Sequence, residues 1–259
     1  MNLLDRILAK KREETPQRRA RMSDFRQKAR DAEPTRGFRA ALANADAPVS
    51  LIAEVKPGSP TRGVIREAID PAEMGRAFAS AGGHCLSVLT DVEFFRGAPE
   101  NLALARSSSG LPCLRKDFVV DEVDVWEARA LGADAILLIV NGLSDAQLND
   151  YRETAESLGM DALVEVHSEE EAARAVASGA TLIGVNNRDL ESFETTLEVG
   201  ERVLPGLVAE GRLLVSESAL SRREDVERVA VAGARAVLIG TAFCEAPDPA
   251  AKVREVMGW

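Results

Sequence analysis

The chain has few histidines and cysteines, the side chains that most often bind transition metals. It contains two histidines and three cysteines. Cys85, Cys113 and Cys244 are widely spaced and form no CxxC pair, and two of them lie beside apolar runs. We expect reduced, buried thiols rather than disulfides or metal ligands. His84 and His167 lack metal-ligand spacing and are predicted to be structural or solvent-facing. The sequence therefore predicts no metal site.

Long apolar runs are missing as well. No stretch is long enough to span a bilayer, and the opening MNLLDRILAKKREE is interrupted by charges at Asp5, Arg6 and Lys10, so it cannot serve as the apolar region of a signal peptide. Together with the predicted thiols, this indicates a soluble, cytoplasmic protein.

Positive charge is concentrated in one region, although the chain carries a formal charge of −10. Residues 1–39 hold 12 Lys and Arg against 6 Asp and Glu. These charges alternate with apolar residues at helical spacing and lack interleaved aromatics, which make up 4% of the chain. We interpret the region as the solvated face of helices and predict no nucleic-acid binding. No heptad or apolar surface stripe is evident, so we expect a monomer.

Motifs for nucleotide binding and for metalloprotease chemistry are absent from the sequence. It contains no GxGxxG fingerprint, no Walker loop and no HExxH. Their absence argues against a dinucleotide-dependent enzyme, a P-loop enzyme and a zincin.

Short apolar runs recur along the chain, and they are continuous rather than alternating. This pattern is typical of strands buried on both faces of a parallel sheet. Eight such runs are predicted as strands, at residues 50–55, 85–90, 112–116, 135–140, 162–166, 182–186, 213–217 and 236–240.

Helix-start residues follow several of these strands, and the segments between strands carry apolar residues at helical spacing. We predict starts at Asp70 with Pro71, Ser168 with Glu171, Ser221 with Glu224, and Asp248 with Pro249. Eight strand-helix units favour a (β/α)₈ barrel over an open sheet, which would be unusually wide. We predict one α/β domain over residues 1–259, in which residues 1–45 form an N-terminal helical extension.

Charged and amide side chains stand at the carboxyl ends of five predicted strands, where barrels of this class hold their active sites. Because side chains alternate along a strand, Glu54 and Lys56 should point into the same cavity, whereas Asp117 should point outward as an ion-pair partner. Internal ion pairs without chemistry are the alternative, but so many groups at one end favour an active site. The groups are Glu54, Lys56, Lys116, Glu165, Asn186, Arg188 and Glu217.

Small residues follow the last two strands, in SESAL and IGTAF. Backbone NH groups at this position commonly hold phosphate in barrels, and Gly240 and Thr241 open the final turn. The pattern indicates a phosphate site, although glycine at a strand end is also ordinary turn chemistry.

The ordered motifs IAEVKPGSP, SVLTDVEFFRG, LRKDF, EARALGADAILLI, LVEVH, IGVNNRDL, SES and LIGTAF resemble those of the indole-3-glycerol phosphate synthase family over nearly the whole chain. This resemblance implies a carboxy-lyase of tryptophan biosynthesis. Such an enzyme closes the ring of 1-(2-carboxyphenylamino)-1-deoxyribulose 5-phosphate, releasing carbon dioxide and water, with no metal or organic cofactor. The expected partner is this small-molecule substrate, and neither nucleic acid nor a membrane is expected.

The same resemblance implies roles for individual residues. Lys116 is the general acid of ring closure, and Lys56, Glu165 and Glu54 supply the acid and base of dehydration without individual assignment. Asn186 belongs to this catalytic set. The implied binding residues are Ser59 and Arg188 for the substrate carboxylate, Phe95 and Phe118 for the ring, Glu217 beside the substrate, and Ser218, Gly240 and Thr241 for phosphate.

The chain departs from the family pattern at Pro57 and Gly58, where a basic and a small residue are usual, and at Thr61 and Ala219. Pro57 removes an NH and a cation, which affects phosphate binding or loop motion. The alternatives are another phosphosugar barrel, such as a phosphoribosyl isomerase or a tryptophan synthase α subunit, or a non-catalytic paralogue. Both lysines together with Glu165 argue against them.

Overall fold

The computed structural model describes residues 2–189 and 194–259. In chain order its strands are β1 (Ser50–Val55), β2 (Gly58–Ser59), β3 (Gly63–Val64), β4 (Cys85–Leu89), β5 (Cys113–Lys116), β6 (Ala135–Ile139), β7 (Asp161–Val166), β8 (Leu182–Asn186), β9 (Leu213–Glu217) and β10 (Ala236–Ile239). Strands β2 and β3 form an antiparallel hairpin in the loop after β1. The other eight are parallel and close into a barrel in the order β1, β10, β9, β8, β7, β6, β5, β4.

Helices precede, separate and follow these strands. They are α1 (Leu3–Arg19), α2 (Met22–Asp31), α3 (Phe38–Ala43), α4 (Pro71–Ser80), α5 (Pro99–Ser109), α6 (Glu122–Ala130), α7 (Asp145–Ser157), α8 (Glu169–Ala177), α9 (Glu198–Leu207), α10 (Arg223–Val231), α11 (Thr241–Cys244) and α12 (Pro249–Met257), with a 3₁₀ helix at Val140–Gly142. The predicted (β/α)₈ barrel with N-terminal helices is confirmed. Within residues 2–189 and 194–259, no helix is both long and apolar enough to cross a membrane.

The strands are buried on both faces, which explains their continuous apolar sequence. Every residue of β1, β4, β6, β9 and β10 is buried. Alternate side chains such as Ile52, Leu114 and Leu163 fill the barrel interior. Their neighbours, such as Leu51 and Leu86, pack against the surrounding helices. All three cysteines are free and buried, as predicted.

The N-terminal helices contact both ends of the barrel. Helix α3 places Phe38, which is fully buried, against the interior cluster at the amino ends of the strands, near Cys85. Helix α1 instead packs beside α6 and the Val140–Gly142 turn. Its residues Leu4 and Leu8 join Val120 in a separate buried cluster. The extension therefore forms part of the barrel ends rather than a free arm.

Three of the four predicted helix starts are confirmed by capping contacts. Asp70, Ser168 and Asp248 each accept a hydrogen bond from the backbone of the first turn that follows. The start predicted at Ser221 with Glu224 is wrong by one residue. Helix α10 begins after Arg222, and Asp225 accepts from the backbone NH groups of Ser221 and Arg222. Glu224 and Asp225 are adjacent in the sequence, and it is the carboxylate of Asp225 that points back to the start of the helix.

Two residues just after β9 adopt left-handed backbone conformations although neither is glycine. Ser218 has φ 65° and Ala219 has φ 61°, a region in which a Cβ approaches the following carbonyl oxygen. The turn therefore carries strain next to the carboxyl ends of the strands.

Candidate active site

A cavity opens at the carboxyl ends of the barrel strands. It brings together most of the predicted site residues: Glu54, Lys56, Ser59, Phe95, Lys116, Phe118, Glu165, Asn186, Arg188, Glu217 and Ser218. Gly240 and Thr241 line an adjoining cavity, which shares Glu54, Lys56, Arg188 and Ser218 with the first. Every residue that the sequence nominated therefore lies at one connected site. In the IGVNNRDL motif, Leu190 lies outside the described residues.

Lys116 lies at the centre of the charged half of the cavity. Its Nζ is 2.9 Å from Oε2 of Glu217 and 3.3 Å from Oε2 of Glu165. Burial alone would lower the pKa of this lysine, but the carboxylates of Glu217 and Glu165 outweigh burial and raise that pKa above its ordinary value. Lys116 therefore remains a cation at neutral pH.

Glu165 and Glu217 share this lysine but differ in acidity. Burial would raise the pKa of Glu165, yet Lys116 and then His167 hold it well below its ordinary value. The nearby side chain of Asn186 also helps to lower the pKa of Glu165. For Glu217, burial and the nearby charge of Glu165 prevail over Lys116 and raise the pKa to about 7. The two carboxyl groups thus hold their protons over different pH ranges.

One oxygen of Glu217 points away from the lysine. Within the described part of the chain, Oε1 of Glu217 is buried without a hydrogen-bond partner. Gly184 on β8 lies beneath it, and a Cβ at that position would clash with this oxygen. The glycine therefore makes room for the carboxylate, and its second oxygen is buried against the backbone of β8.

Glu54 and Lys56 form a second charged pair, on the same side of β1 as predicted. Lys56 Nζ is 3.5 Å from Glu54 Oε1, and Ser87 donates a hydrogen bond of 3.0 Å to Glu54 Oε2. Gly240 packs directly against Glu54, since a Cβ there would lie 2.7 Å from Oε1. The pair therefore stands between the two cavities.

The opposite half of the cavity is apolar. Phe95 and Phe118 face each other with ring centroids 5.9 Å apart. Helix α1 also contributes to this half, through Leu3, Leu4 and Ile7, which was not predicted from the sequence. Their helical spacing indicated a buried face, but the sequence did not show which surface that face would cover. This half can hold a flat aromatic ring.

The adjoining cavity has the character of an anion site. The turns at 218–221 and 240–242 line it, together with Arg62 and Arg188. Burial and the positive charge of Arg62 lower the pKa of Arg188. Arg62, which the sequence analysis did not select, also pairs with Glu245 at 2.7 Å across the cavity. Cations and backbone NH groups together suit a phosphate.

Asp117 faces away from the reacting groups, as predicted. Lys11 of α1 is buried, and its Nζ lies 2.7 Å from Asp117 and 2.8 Å from Asp91. Thr90 and Arg115 also contact the Asp117 carboxylate. This network joins α1 to the ends of β4 and β5.

The two histidines occupy different environments. His84 is half-buried at the amino end of β4, where its Nδ1 accepts from the backbone NH of Leu51 and its ring packs edge-on to Trp259. His167 is largely buried beside Glu165, with 10% of its side chain exposed, rather than facing solvent. Within residues 2–189 and 194–259, no three His, Cys, Asp or Glu side chains converge in the manner of a metal site.

Comparison with known proteins gives a consistent result. The model of the family "Indole-3-glycerol phosphate synthase" matches residues 4–256. A protein of that name from Roseiflexus sp. (strain RS-1) is 48% identical over 265 residues, covering 99% of this chain and 98% of the relative. One from Laribacter hongkongensis (strain HLHK9) is 44% identical over 254 residues, covering 96% and 97%.

Solved structures with lower identity share the fold. A 3-hexulose-6-phosphate synthase superposes with a TM-score of 0.60 at 16% identity, covering 81% of this chain and 99% of that one. At that identity the likeness concerns the barrel alone.

Proposed function

This chain belongs to the indole-3-glycerol phosphate synthase family, and from that premise we propose how its own residues carry out the reaction. The enzyme is a carboxy-lyase of tryptophan biosynthesis. It closes the ring of 1-(2-carboxyphenylamino)-1-deoxyribulose 5-phosphate and releases carbon dioxide and water. The observation that carries the proposal is Lys116, a cation held between two buried carboxyl groups at the cavity centre.

Lys116 acts as the general acid of ring closure. In that step a ring carbon attacks the ketone carbon of the sugar, and negative charge develops on the ketone oxygen. A protonated amine in a water-poor cavity stabilises this charge and donates the proton. Carbon dioxide then leaves, and its bonding electrons restore the aromatic ring.

Lys56, Glu54 and Glu165 share the acid and base work of dehydration. The hydroxyl must leave as water, which requires one proton donor, and a neighbouring proton must be removed, which requires an acceptor. Glu165 is supported as a proton acceptor because its environment keeps it ionised. The protonation states of these residues are too closely coupled for each step to be assigned to a single residue. Asn186 belongs to the same catalytic set, and its side chain favours the ionised form of Glu165.

The remaining residues bind the substrate. Phe95 and Phe118 hold the anthranilate ring in the apolar half, and Ser59 and Arg188 bind its carboxylate. Glu217, which lines the cavity, lies beside the substrate chain. The phosphate occupies the adjoining cavity, bound by Ser218, Gly240 and Thr241.

For the whole chain, residues 1–259 act as one domain, as a monomer, in the cytoplasm. Three buried thiols support a reducing compartment. In the described residues the large exposed hydrophobic side chains are scattered over several helices and loops, which suits a monomer. Proton transfers and the substrate's own bonding electrons account for each step, so we expect no cofactor.

Turnover without added metal is the first test. Purified enzyme is incubated with 1-(2-carboxyphenylamino)-1-deoxyribulose 5-phosphate, and the rise of indole fluorescence is followed with and without a chelator. We expect the same rate in both samples. Binding by calorimetry without any rise would instead identify a non-catalytic paralogue, and reversion of Pro57 and Gly58 would then be the next step.

Substitution tests the assigned residues. Lys116→Ala and Glu165→Gln are each expected to lower kcat by about 10²- to 10⁴-fold with the fold intact, because each removes a group that moves a proton. The matched controls are Lys252→Ala and Glu255→Gln, a lysine and glutamate that pair on α12 at 2.6 Å, away from the cavity. Full turnover in both site variants would rule out the assigned chemistry.

A further inference from the structure

Glu165 is contacted by two basic side chains, one at each carboxylate oxygen. Lys116 Nζ lies 3.3 Å from Oε2, and His167 Nε2 lies 3.4 Å from Oε1. The histidine contact has ion-pair distance without the alignment of a hydrogen bond. Glu165 thus holds one oxygen toward the cavity centre and the other toward the loop after β7.

The far side of the imidazole is held by a second carboxylate. His167 Nδ1 lies 3.2 Å from Oε2 of Glu171, which also accepts the backbone NH of His167 at 2.8 Å. Glu171 stands in the first turn of α8, where its backbone NH donates to the capping side chain of Ser168. The ring is therefore fixed between two carboxylates by the start of a helix.

Both ring nitrogens face carboxylate oxygens, so the ring is bound best as an imidazolium with a proton on each nitrogen. Burial would lower the pKa of His167, but Glu165 and Glu171 outweigh burial and raise it to about 10. Other charged groups reach Glu165 from the opposite side, namely Lys116 from β5 and, beyond it, Glu217 from β9. His167 carries its charge throughout the neutral range.

Helix capping alone does not explain the imidazole. The Glu171 carboxylate already accepts a hydrogen bond from the backbone NH of His167, and the Ser168 side chain already caps α8. A residue without a charged ring could make the same backbone contact. The side chain nevertheless extends back toward Glu165, with about a tenth of its surface exposed.

We propose that His167, held by Glu171, is a positioning residue that fixes the Glu165 carboxylate in its ionised form and in the orientation required for proton transfer. The inference rests on the proposed role of Glu165 as a proton acceptor. Without the imidazolium, Glu165 would depend on Lys116 alone of these two cations for its counter-charge, which would draw Lys116 away from its own role as acid. Loss of His167 should therefore affect kcat more than binding.

The test compares the pH dependence of kcat and kcat/KM in His167→Gln with that of the wild type. Glutamine keeps a donor of similar reach and removes the charge. We expect kcat to fall about tenfold near neutral pH, KM to change less than about twofold, and the acid limb to move about one unit higher in pH. The loss should therefore grow as the pH falls. His84→Gln is the matched control, since His84 lies at the opposite end of the barrel.

Glu171→Gln serves as a second variant in case His167→Gln does not fold. It keeps His167 but weakens its support, so we expect a smaller loss with the same pH trend. A loss that is uniform across pH, or a profile equal to that of the wild type, would overturn the positioning role. Glu165→Gln separates the two claims. If it retains turnover, the proposed role of Glu165 fails; if it is inactive while both other variants match the wild type, only the inference about His167 fails.

Discussion

At the residue scale, the central feature is one lysine between two carboxyl groups that differ in acidity. Both glutamates are buried and both contact Lys116, yet only Glu165 also contacts an imidazole. That second positive charge separates the two pKa values. A cluster built in this way offers a stable cation, a stable carboxylate and a group that changes protonation near neutral pH.

Glu217 should make the stability of the fold depend on pH. Its pKa in the folded protein, about 7, lies above the ordinary value of 4.5. The protonated form therefore stabilises the fold fully below about pH 4.5, and this contribution is lost as the pH rises through about 7. Relative to Glu217→Gln, the wild type should lose on the order of 3 kcal/mol of unfolding free energy between about pH 5 and about pH 9.

Urea denaturation of both proteins at several pH values measures this difference. Glu224→Gln, at an exposed position of α10, is the matched control and should run parallel to the wild type. Parallel curves for Glu217→Gln as well would show that Glu217 is not held in a raised-pKa environment.

Ala219 should be replaceable by glycine with a gain in stability. Its φ of 61° costs a residue with a Cβ about 1–2 kcal/mol, while glycine adds a smaller entropy cost in the unfolded chain. We expect Ala219→Gly to raise the free energy of unfolding by about 0.5–1 kcal/mol. Ala173→Gly, exposed within α8, should lower it by about 1 kcal/mol. A loss of stability in both variants would show that the turn is unstrained.

At the element scale, α1 connects the extension to the site. Its apolar residues line the cavity, and Lys11 reaches Asp91 and Asp117 at the ends of two strands. Asp117 directly follows Lys116 in the chain. The same helix therefore closes the apolar half of the site and braces the strand that carries the general acid.

Lys11→Met should destabilise the fold strongly. It leaves the carboxylates of Asp91 and Asp117 without their buried cation, and breaking a buried pair costs about 3–5 kcal/mol. Lys10→Met is the matched control, because Lys10 is more exposed and its pairs with Glu93 and Glu14 lie at 3.5 and 4.0 Å. That change should cost less than about 1 kcal/mol. Equal urea midpoints for the two variants would contradict a bracing role for Lys11.

Sequence patterns predicted the elements well where local chemistry decides them. All eight barrel strands were found within one or two residues of their ends, because strands buried on both faces leave continuous apolar runs. The placement of charges at strand ends likewise identified residues such as Lys116 and Glu165, since the barrel brings those ends together.

The features that the sequence did not predict depend on contacts between distant parts of the chain. Nothing local in Leu3 or Ile7 tells which surface α1 will cover. His167 was predicted only to be structural or solvent-facing, because the two glutamates that hold its ring are recognised only once strand and helix geometry are known. Whether Asp225 or Glu224 caps α10 depends on the residue at which the helix begins. A shift of that start by one residue changes which of the two carboxylates points back to the backbone NH groups before the helix.

At the scale of the whole molecule, the two ends of the barrel have separate tasks. The carboxyl ends of the strands hold the reacting groups, and the amino ends are sealed by Phe38 and Leu42. Asp134 adds a second support near that seal, where it is fully buried and accepts from Arg106 and from the backbone of Arg36. Stability and chemistry can therefore be altered separately.

Phe38→Ala should test this separation. Removal of a fully buried ring leaves a cavity and costs about 3–5 kcal/mol of unfolding free energy, while kcat at a temperature that keeps the variant folded should match the wild type. Leu104→Ala, on α5 with 47% of the side chain exposed, should cost less than about 0.5 kcal/mol. A large fall in kcat for the folded Phe38 variant would show that the two ends are coupled.

The closure of the barrel also constrains its synthesis. One edge of β1 pairs with β4 and the other with β10. Because β1 is the first barrel strand to leave the ribosome and β10 is the last, the edge that pairs with β10 has no hydrogen-bond partner until synthesis of the barrel is complete. Until then that edge is open to pairing with another chain. Glu54 stands on β1 and Gly240 follows β10, and the two pack together across the seam. The nascent enzyme thus acquires its active site and loses its aggregation-prone edge in the same final event.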